Sequence, residues 1–438
     1  MAEPWFEELA EFLRIPSVSA DAARADDVRA AGEWVCERVR AAGGEAELRD
    51  WHGHPLALGE LRAARDGAPT VICYGHFDVQ PPAPLELWES EPFQLAERDG
   101  RLYGRGIADD KGQLYMLLKA GEELANSGKL PVNLRFCCDG EEETGGHSIV
   151  EFLAEDERGG DACVIFDSTM LRVGVPAFDV ATRGLVYFHV RVRTGERDLH
   201  SGLYGGAALN ALHALTQALR GVLPRDGRLP EPLRAGIAPP TEVELEGWRQ
   251  LAPGADELAG QGARPADERA AEEFYLRTFA EPAVDVNGIE GGSPQLQKTV
   301  LPVLAEANLS IRLAPGQDPD RIAPEVERLL REAAPVGADV QVDRFSSSRP
   351  GLVDPESAPV RLGLEAFERV VGTRPVLVRS GGTLPIVPAL ADKGIPTILT
   401  GFALPDSNIH SPNENIPTEH VPLGIRAARE LFQAFAEL

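Results

Sequence analysis

The chain is long and acidic, and these two properties exclude several classes of protein. Its 438 residues exceed the usual length of one domain, so we expect two domains. Lysine and arginine total 43 against 69 acidic residues, a net charge of −26 that disfavours nucleic acid and anionic membranes as partners. No apolar run approaches the length that crosses a membrane.

The N-terminus and the cysteines predict a cytoplasmic protein. Residues 4–13 have the periodicity of an amphipathic helix and lack the basic and apolar regions of a signal peptide. The five cysteines include no CxxC pair, and the adjacent Cys137 and Cys138 point to opposite faces of a predicted strand. We therefore expect reduced, buried thiols.

Short apolar strands alternate with helices in the first and last parts of the chain. Strands are predicted at 45–50, 56–62, 70–75, 132–138, 162–166, 375–379 and 396–401. Helices are predicted at 4–13, 22–42, 109–126, 147–155, 357–371, 383–391 and 418–437. This alternation predicts an α/β domain with a sheet flanked by helices.

The middle of the chain has a different pattern, which predicts an inserted α+β domain. Residues 223–298 are rich in proline, glycine and charge, and predict short helices at best. The remaining elements are strands at 185–193, 305–313 and 339–345, and helices at 206–220 and 320–333. We place the outer domain at 1–179 and 352–438, and the inserted domain at 180–351.

Several apolar runs of the outer domain lead into side chains that bind metals. The expected donors are His76, Asp109 at a helix start, Glu142 or Glu143, Asp167, and His410. Because the carboxyl ends of parallel strands share one edge of a sheet, we expect these groups to converge. Two histidines and three carboxylates without a thiolate are the donors of a two-zinc hydrolase, although manganese and cobalt also suit them.

The chemistry of a metal pair suggests a role for each acidic group. A pair of cations needs a bridging carboxylate, and Asp109 is the best candidate. Asp78 lies two residues beyond His76 and can accept its ring N–H. Of Glu142 and Glu143, one can bind metal and the other can take a proton from a metal-activated water. We expect Glu414 to organise the last loop.

Four segments of the sequence resemble the signatures of the M20 metallopeptidase family. They are Gly75 to Pro81, Tyr103 to Gly112, Asp139 to Gly145, and His410 to Glu414. The resemblance implies a zinc-exopeptidase-like mixed sheet with an inserted lid and dimerisation domain, and a cis peptide between Ala108 and Asp109. It also implies these roles: metal ligands His76, Asp109 (bridging), Glu143, Asp167 and His410, general base Glu142, and histidine partner Asp78.

The inserted domain resembles the carnosinase-type dipeptidase branch of that family at Asp198 to Gly202. The resemblance implies that His200 reaches the site of a neighbouring subunit and stabilises an oxyanion. It implies substrate-binding positions at Thr299, Arg312 and Gly382, and an arginine suits a substrate carboxylate because its fork binds both oxygens. Ser380 stands where the branch usually has Glu.

The sequence therefore predicts a cytoplasmic, homodimeric metallo-dipeptidase with two divalent ions, most simply zinc, that hydrolyses dipeptides or small peptides. Two alternatives remain open. One is an N-acyl amino acid amidohydrolase, of the aminoacylase or desuccinylase type, on the same scaffold. The other is a non-catalytic, metal-dependent binding protein.

Overall fold

The chain forms two compact units in a computed structural model that describes residues 4–382 and 384–438. The outer unit comprises Met1–Val180, Val353–Val378 and Pro385–Leu438. The inserted unit comprises Ala181–Leu352 and Arg379–Leu384. None of the described helices is both long and apolar enough to cross a lipid bilayer.

Helices and strands alternate along most of the chain. The helices are α1 (Pro4–Leu13), α2 (Ala25–Ala41), α3 (Lys111–Asn126), α4 (His147–Glu155), α5 (Ser201–Tyr204), α6 (Ala211–Leu219), α7 (Glu242–Trp248), α8 (Gly254–Gly260), α9 (Pro319–Ala333), α10 (Ala358–Val371), α11 (Ile386–Asp392) and α12 (His420–Ala434). The strands are β1 (Glu45–Arg49), β2 (Leu56–Leu61), β3 (Thr70–His76), β4 (Ala96–Arg98), β5 (Arg101–Tyr103), β6 (Asn133–Asp139), β7 (Ala162–Phe166), β8 (Ala177–Thr182), β9 (Gly184–Arg193), β10 (Leu199–His200), β11 (Ala283–Glu290), β12 (Val300–Leu301), β13 (Leu304–Leu313), β14 (Asp339–Ser348), β15 (Val376–Ser380), β16 (Thr397–Thr400) and β17 (Asn415–Pro417).

The outer unit is built on an eight-stranded mixed sheet in the order β1-β2-β6-β3-β7-β16-β8-β15. Its centre, β6-β3-β7-β16, is parallel, whereas β2 pairs antiparallel with β6. The central strands are buried almost throughout, as expected for parallel strands covered by helices. This sheet confirms the predicted α/β fold class, and it brings the carboxyl ends of the four parallel strands to one edge.

The inserted unit contains a four-stranded antiparallel sheet in the order β11-β13-β9-β14. Alternate residues of β9, including Val186, Phe188 and Val190, are buried in a core with apolar residues of α6 and α9. The alternation of apolar and polar residues predicted this half-exposed strand. The short strands β10 and β12 form a separate antiparallel pair.

Three sequence-based expectations about local structure were wrong. The helix predicted over 206–220 begins at Ala211, because the Asn210 side chain caps it by accepting the N–H groups of Leu212 and His213. Strand β11 lies in a stretch where only short helices were expected. The non-proline cis peptide follows Asp109, between it and Asp110, and does not precede it.

Candidate metal centre

The parallel strands deliver two of the predicted metal ligands side by side. His76 ends β3, and Asp167 directly follows β7, which pairs with β3. Asp109 lies two residues before α3. His76 Nε2 is 2.9 Å from Asp109 Oδ1 and 3.9 Å from Asp167 Oδ1. These three side chains form the first triad, a group that could hold one cation.

A second triad meets the first at Asp109. The other oxygen of this carboxylate, Oδ2, lies 2.9 Å from His410 Nε2, which is 3.1 Å from Glu143 Oε2. The donor atoms of each triad lie within 4.8 Å of one another. Asp109 thus offers one oxygen to each triad, as a carboxylate that bridges two cations would.

The pKa values of these groups are shifted because several carboxylates are buried close together. Burial opposes ionisation of Asp109, but hydrogen bonds from His410 and His76 hold its pKa below the ordinary value. Burial and the charge of Asp110 raise the pKa of Asp167 well above its ordinary value. Hydrogen bonds to Asp109 and Glu143 raise the pKa of His410 to about 10. In the metal-free chain, bound protons therefore balance part of the negative charge of these carboxylates. Divalent cations would displace the protons and balance that charge instead.

The donor set fits two divalent cations. Two imidazoles and three carboxylates, without a thiolate, are typical ligands of zinc, manganese or cobalt in hydrolytic sites. Among the described residues, each triad has one histidine and two carboxylates. A cation held by three such groups would keep coordination positions for water and substrate, as in catalytic rather than structural sites.

Asp78 is buried beneath the first triad. Its backbone carbonyl lies 3.1 Å and its Oδ1 3.3 Å from His76 Nδ1, on the side of the ring away from Asp109. The same carboxylate accepts the Ser19 hydroxyl at 2.6 Å and the backbone N–H groups of Glu142 and Glu143. Asp78 is therefore fixed in position and can hold the ring orientation of His76.

Glu142 lies in a short helical turn after β6, next to the two triads. Burial raises its pKa to about 7, and the charges of Glu143, Asp109 and Asp78 add to this effect. A carboxyl group that titrates near neutral pH suits proton transfer, because it can both accept and return a proton.

Glu414, which was expected from the sequence to organise the last loop, holds the loop before Asp109. Its carboxylate accepts the backbone N–H groups of Gly106, Ala108 and Asp109, and Arg105 Nη1 at 2.7 Å. Both side chains of this ion pair are almost completely buried. The position of Asp109 thus depends on a residue near the end of the chain.

The other predicted site residues belong to the inserted unit. His200 is exposed and pairs with Val300 between β10 and β12. The Thr299 carbonyl accepts the Ser201 N–H at 3.0 Å and its hydroxyl at 2.8 Å. Arg312 lies on β13 opposite Leu185 of β9. All of these contacts lie within the inserted unit.

Gly382 and Arg312 have a common neighbour, which sequence reasoning missed. The Arg183 backbone N–H donates to the Gly382 carbonyl at 3.1 Å. Burial and the nearby charge of Arg312 lower the pKa of Arg183 to about 10. The charge of Asp285 opposes this effect of Arg312, so the two guanidinium groups share their surroundings with a carboxylate.

Comparisons with known proteins identify similar chains. The sequence profile described as peptidase family M20/M25/M40 matches residues 72–434. Cys-Gly metallodipeptidase DUG1 of Saccharomyces cerevisiae is 26% identical over 459 residues, covering 99% of this chain and 95% of the relative. Beta-Ala-His dipeptidase of Homo sapiens is 29% identical over 408 residues, covering 88% of this chain and 78% of the relative. The solved M20 family metallo-carboxypeptidase Sso-CP2 of Sulfolobus solfataricus matches with a TM-score of 0.86 and 25% identity, over 100% of both chains.

Proposed function

This chain belongs to the peptidase family M20/M25/M40, and we propose that it is a two-metal dipeptidase. The family and branch resemblance of its motifs is confirmed by the profile match and by the named dipeptidase relatives. One observation carries the proposal: the two oxygens of Asp109 face two different imidazoles, His76 and His410, at 2.9 Å each.

Each residue of the two triads has a proposed role. His76, Asp109 and Asp167 hold one cation, and Asp109, Glu143 and His410 hold the other. Two bound cations, most simply zinc, would polarise the scissile carbonyl and acidify a water molecule. Glu142 accepts the proton of the attacking water and returns it to the leaving amine. Asp78 fixes the ring of His76 through Nδ1.

Residues of the inserted unit are proposed to recognise the dipeptide. Arg312 binds the substrate carboxylate, because a guanidinium fork can donate to both of its oxygens. Thr299 and Gly382 contact the peptide backbone. His200 stabilises the oxyanion in the site of a second subunit, so the enzyme would be a homodimer that associates through the inserted unit. All five cysteines are buried and free, which supports a cytoplasmic location.

A second candidate activity has a specific observation in its favour. The solved relative with a TM-score of 0.86 is named a metallo-carboxypeptidase, so a carboxypeptidase that acts on longer peptides is the second candidate. An N-acyl amino acid amidohydrolase uses the same chemistry on another acyl group. A non-catalytic binding protein is disfavoured because the named relatives that this chain matches over most of its length are dipeptidases.

The test of this proposal is a substrate panel assayed before and after chelation. We expect hydrolysis of dipeptides such as Cys-Gly and β-Ala-His, its loss after chelation, and its recovery with zinc, manganese or cobalt. Faster cleavage of longer peptides would favour the carboxypeptidase, and faster cleavage of N-acyl amino acids would favour the amidohydrolase. No chelator-sensitive hydrolysis of any substrate would reject all three enzymes.

A further inference from the structure

Gln113 occupies an unusual position beneath the first triad. It lies in the first turn of α3, and only 1% of it is exposed. Its side-chain Nε2 donates to the carbonyl oxygens of Ala108 at 2.6 Å and Ser168 at 3.2 Å. Its Oε1 accepts the backbone N–H of Phe402 at 2.6 Å. One amide group thus joins three segments that are distant in the sequence.

Each of these segments carries or leads to a predicted metal ligand. Ala108 directly precedes Asp109, and Ser168 directly follows Asp167. Phe402 follows β16 and begins the segment that leads to His410. The two carbonyls that share the Gln113 amide therefore belong to the neighbours of two carboxylates of one triad.

We propose that Gln113 is a positioning residue of the metal centre, which sets the separation of Asp109 and Asp167. The inference rests on the proposed metal site and adds a residue that does not touch the metal. Among side chains of this length, only glutamine offers two N–H donors and an acceptor, which this position uses together. A glutamate would keep the acceptor and lose both donors.

Two further contacts fix the same region. The Ser168 hydroxyl donates to Asp179 Oδ2 at 2.6 Å, which holds the segment after Asp167 from another direction. A Cβ atom at Gly401 would lie 1.8 Å from the Ser168 carbonyl oxygen, so the two backbones are in close contact. The Gln113 amide thus contacts a closely packed part of the backbone. A small displacement of Ser168 there would also move Asp167, which directly precedes it.

The test uses Gln113→Met, which keeps the side-chain length and removes all three hydrogen bonds. We expect the Zn²⁺ affinity of the first triad to fall about 10- to 100-fold, which is the usual effect of losing a residue that orients metal ligands. Competition with a chromophoric chelator measures this on the metal-free protein. The absorption spectrum of the Co²⁺-loaded protein should also change, because the ligand geometry changes.

Gln317 provides a matched control. It is also buried, it donates to the carbonyls of Leu233 and Ala235, and it accepts the N–H of Ala314. Its partners carry none of the predicted metal ligands, so Gln317→Met should lose comparable stability and keep wild-type Zn²⁺ affinity. Equal loss of affinity in both variants would contradict the proposal.

The remaining outcomes separate this inference from the proposed function. A wild-type protein that binds no Zn²⁺ would reject the metal centre itself. Two bound Zn²⁺ ions with unchanged affinity in folded Gln113→Met would overturn only the role of Gln113. If Gln113→Met does not fold, the Zn²⁺ affinity of Gln113→Glu, which keeps the hydrogen bond to Phe402, is measured instead. An affinity equal to that of wild type would again overturn the role of Gln113. Failure of both to fold, while Gln317→Met folds, would also contradict the proposal, because the side chain would then serve the fold itself.

Discussion

The carboxylate of Glu414 accepts the backbone N–H of Asp109 at 3.1 Å, although the two residues are 305 positions apart in the chain. Glu414 lies four residues after His410, so the loop that carries one predicted ligand also holds the backbone of another. Arg105 completes the arrangement by pairing with Glu414 out of contact with water. The proposed bridge between the triads therefore depends on a buried ion pair behind it.

Replacing Glu414 should strongly destabilise the protein. Glu414→Gln leaves the buried Arg105 guanidinium without its carboxylate, and breaking a buried pair in this way costs about 3–5 kcal/mol of unfolding free energy. Urea unfolding of the metal-free protein measures the change. The exposed Glu419 supplies the control, because Glu419→Gln should stay within about 0.5 kcal/mol of wild type. If Glu414→Gln changes the unfolding free energy as little as Glu419→Gln does, the ion pair between Arg105 and Glu414 contributes little to stability.

Glu142→Gln should separate metal binding from turnover. The amide keeps the shape of the side chain but cannot accept the proton of the attacking water, so kcat should fall about 10²- to 10⁴-fold. Metal analysis should still give the wild-type metal content, since Glu142 belongs to neither triad. Glu155→Gln, an exposed change on α4, is the control. Wild-type kcat in Glu142→Gln would remove this residue from catalysis.

Asp179 should make the stability of the metal-free protein depend on pH. Burial raises its pKa from 3.8 to about 6, so the folded chain binds this proton more tightly than the unfolded chain. The stability that this proton contributes is present at low pH and is lost as the pH rises from about 4 to about 6. Relative to Asp179→Asn, wild type should therefore lose about 3 kcal/mol across that range. If the difference in unfolding free energy between wild type and Asp179→Asn is the same at all pH values in this range, the raised pKa of Asp179 is contradicted.

His200→Ala tests whether subunits share their sites. His200 is exposed, so the variant should fold and assemble normally, yet we expect it to lose most activity. Mixed with inactive Glu142→Gln, it should regain part of the turnover, because a heterodimer would contain one site with both wild-type residues. No recovery in a mixture shown to exchange subunits would indicate that His200 acts in its own chain or not at all.

Sequence reasoning succeeded where short-range pattern determines position. Parallel strands bring their carboxyl ends to one edge, so locating β3 and β7 was enough to place His76 and Asp167 together. The general rule for parallel sheets thus stood in for the pairing of two segments that are distant in the chain.

The features that sequence reasoning missed depend on contacts with other segments. Strand β11 is mostly exposed, so its conformation comes from pairing with β13 rather than from an apolar pattern of its own. The hydrogen bonds of Gln113 join three segments that only the completed sheet brings together. Its signal in the sequence is slight, since a polar residue in the first turn of a helix is ordinary.

Anomalous diffraction from crystals grown with Zn²⁺ tests most directly whether Asp109 bridges two cations. We predict two peaks, one beside each oxygen of Asp109 at about 2.0–2.2 Å, with His76 completing one set of ligands and His410 the other. In Asp109→Asn, at least one peak should lose most of its occupancy, whereas the exposed control Asp66→Asn should keep both. Zn²⁺ peaks away from Asp109, or two fully occupied peaks in Asp109→Asn, would contradict a site in which two cations share the Asp109 carboxylate.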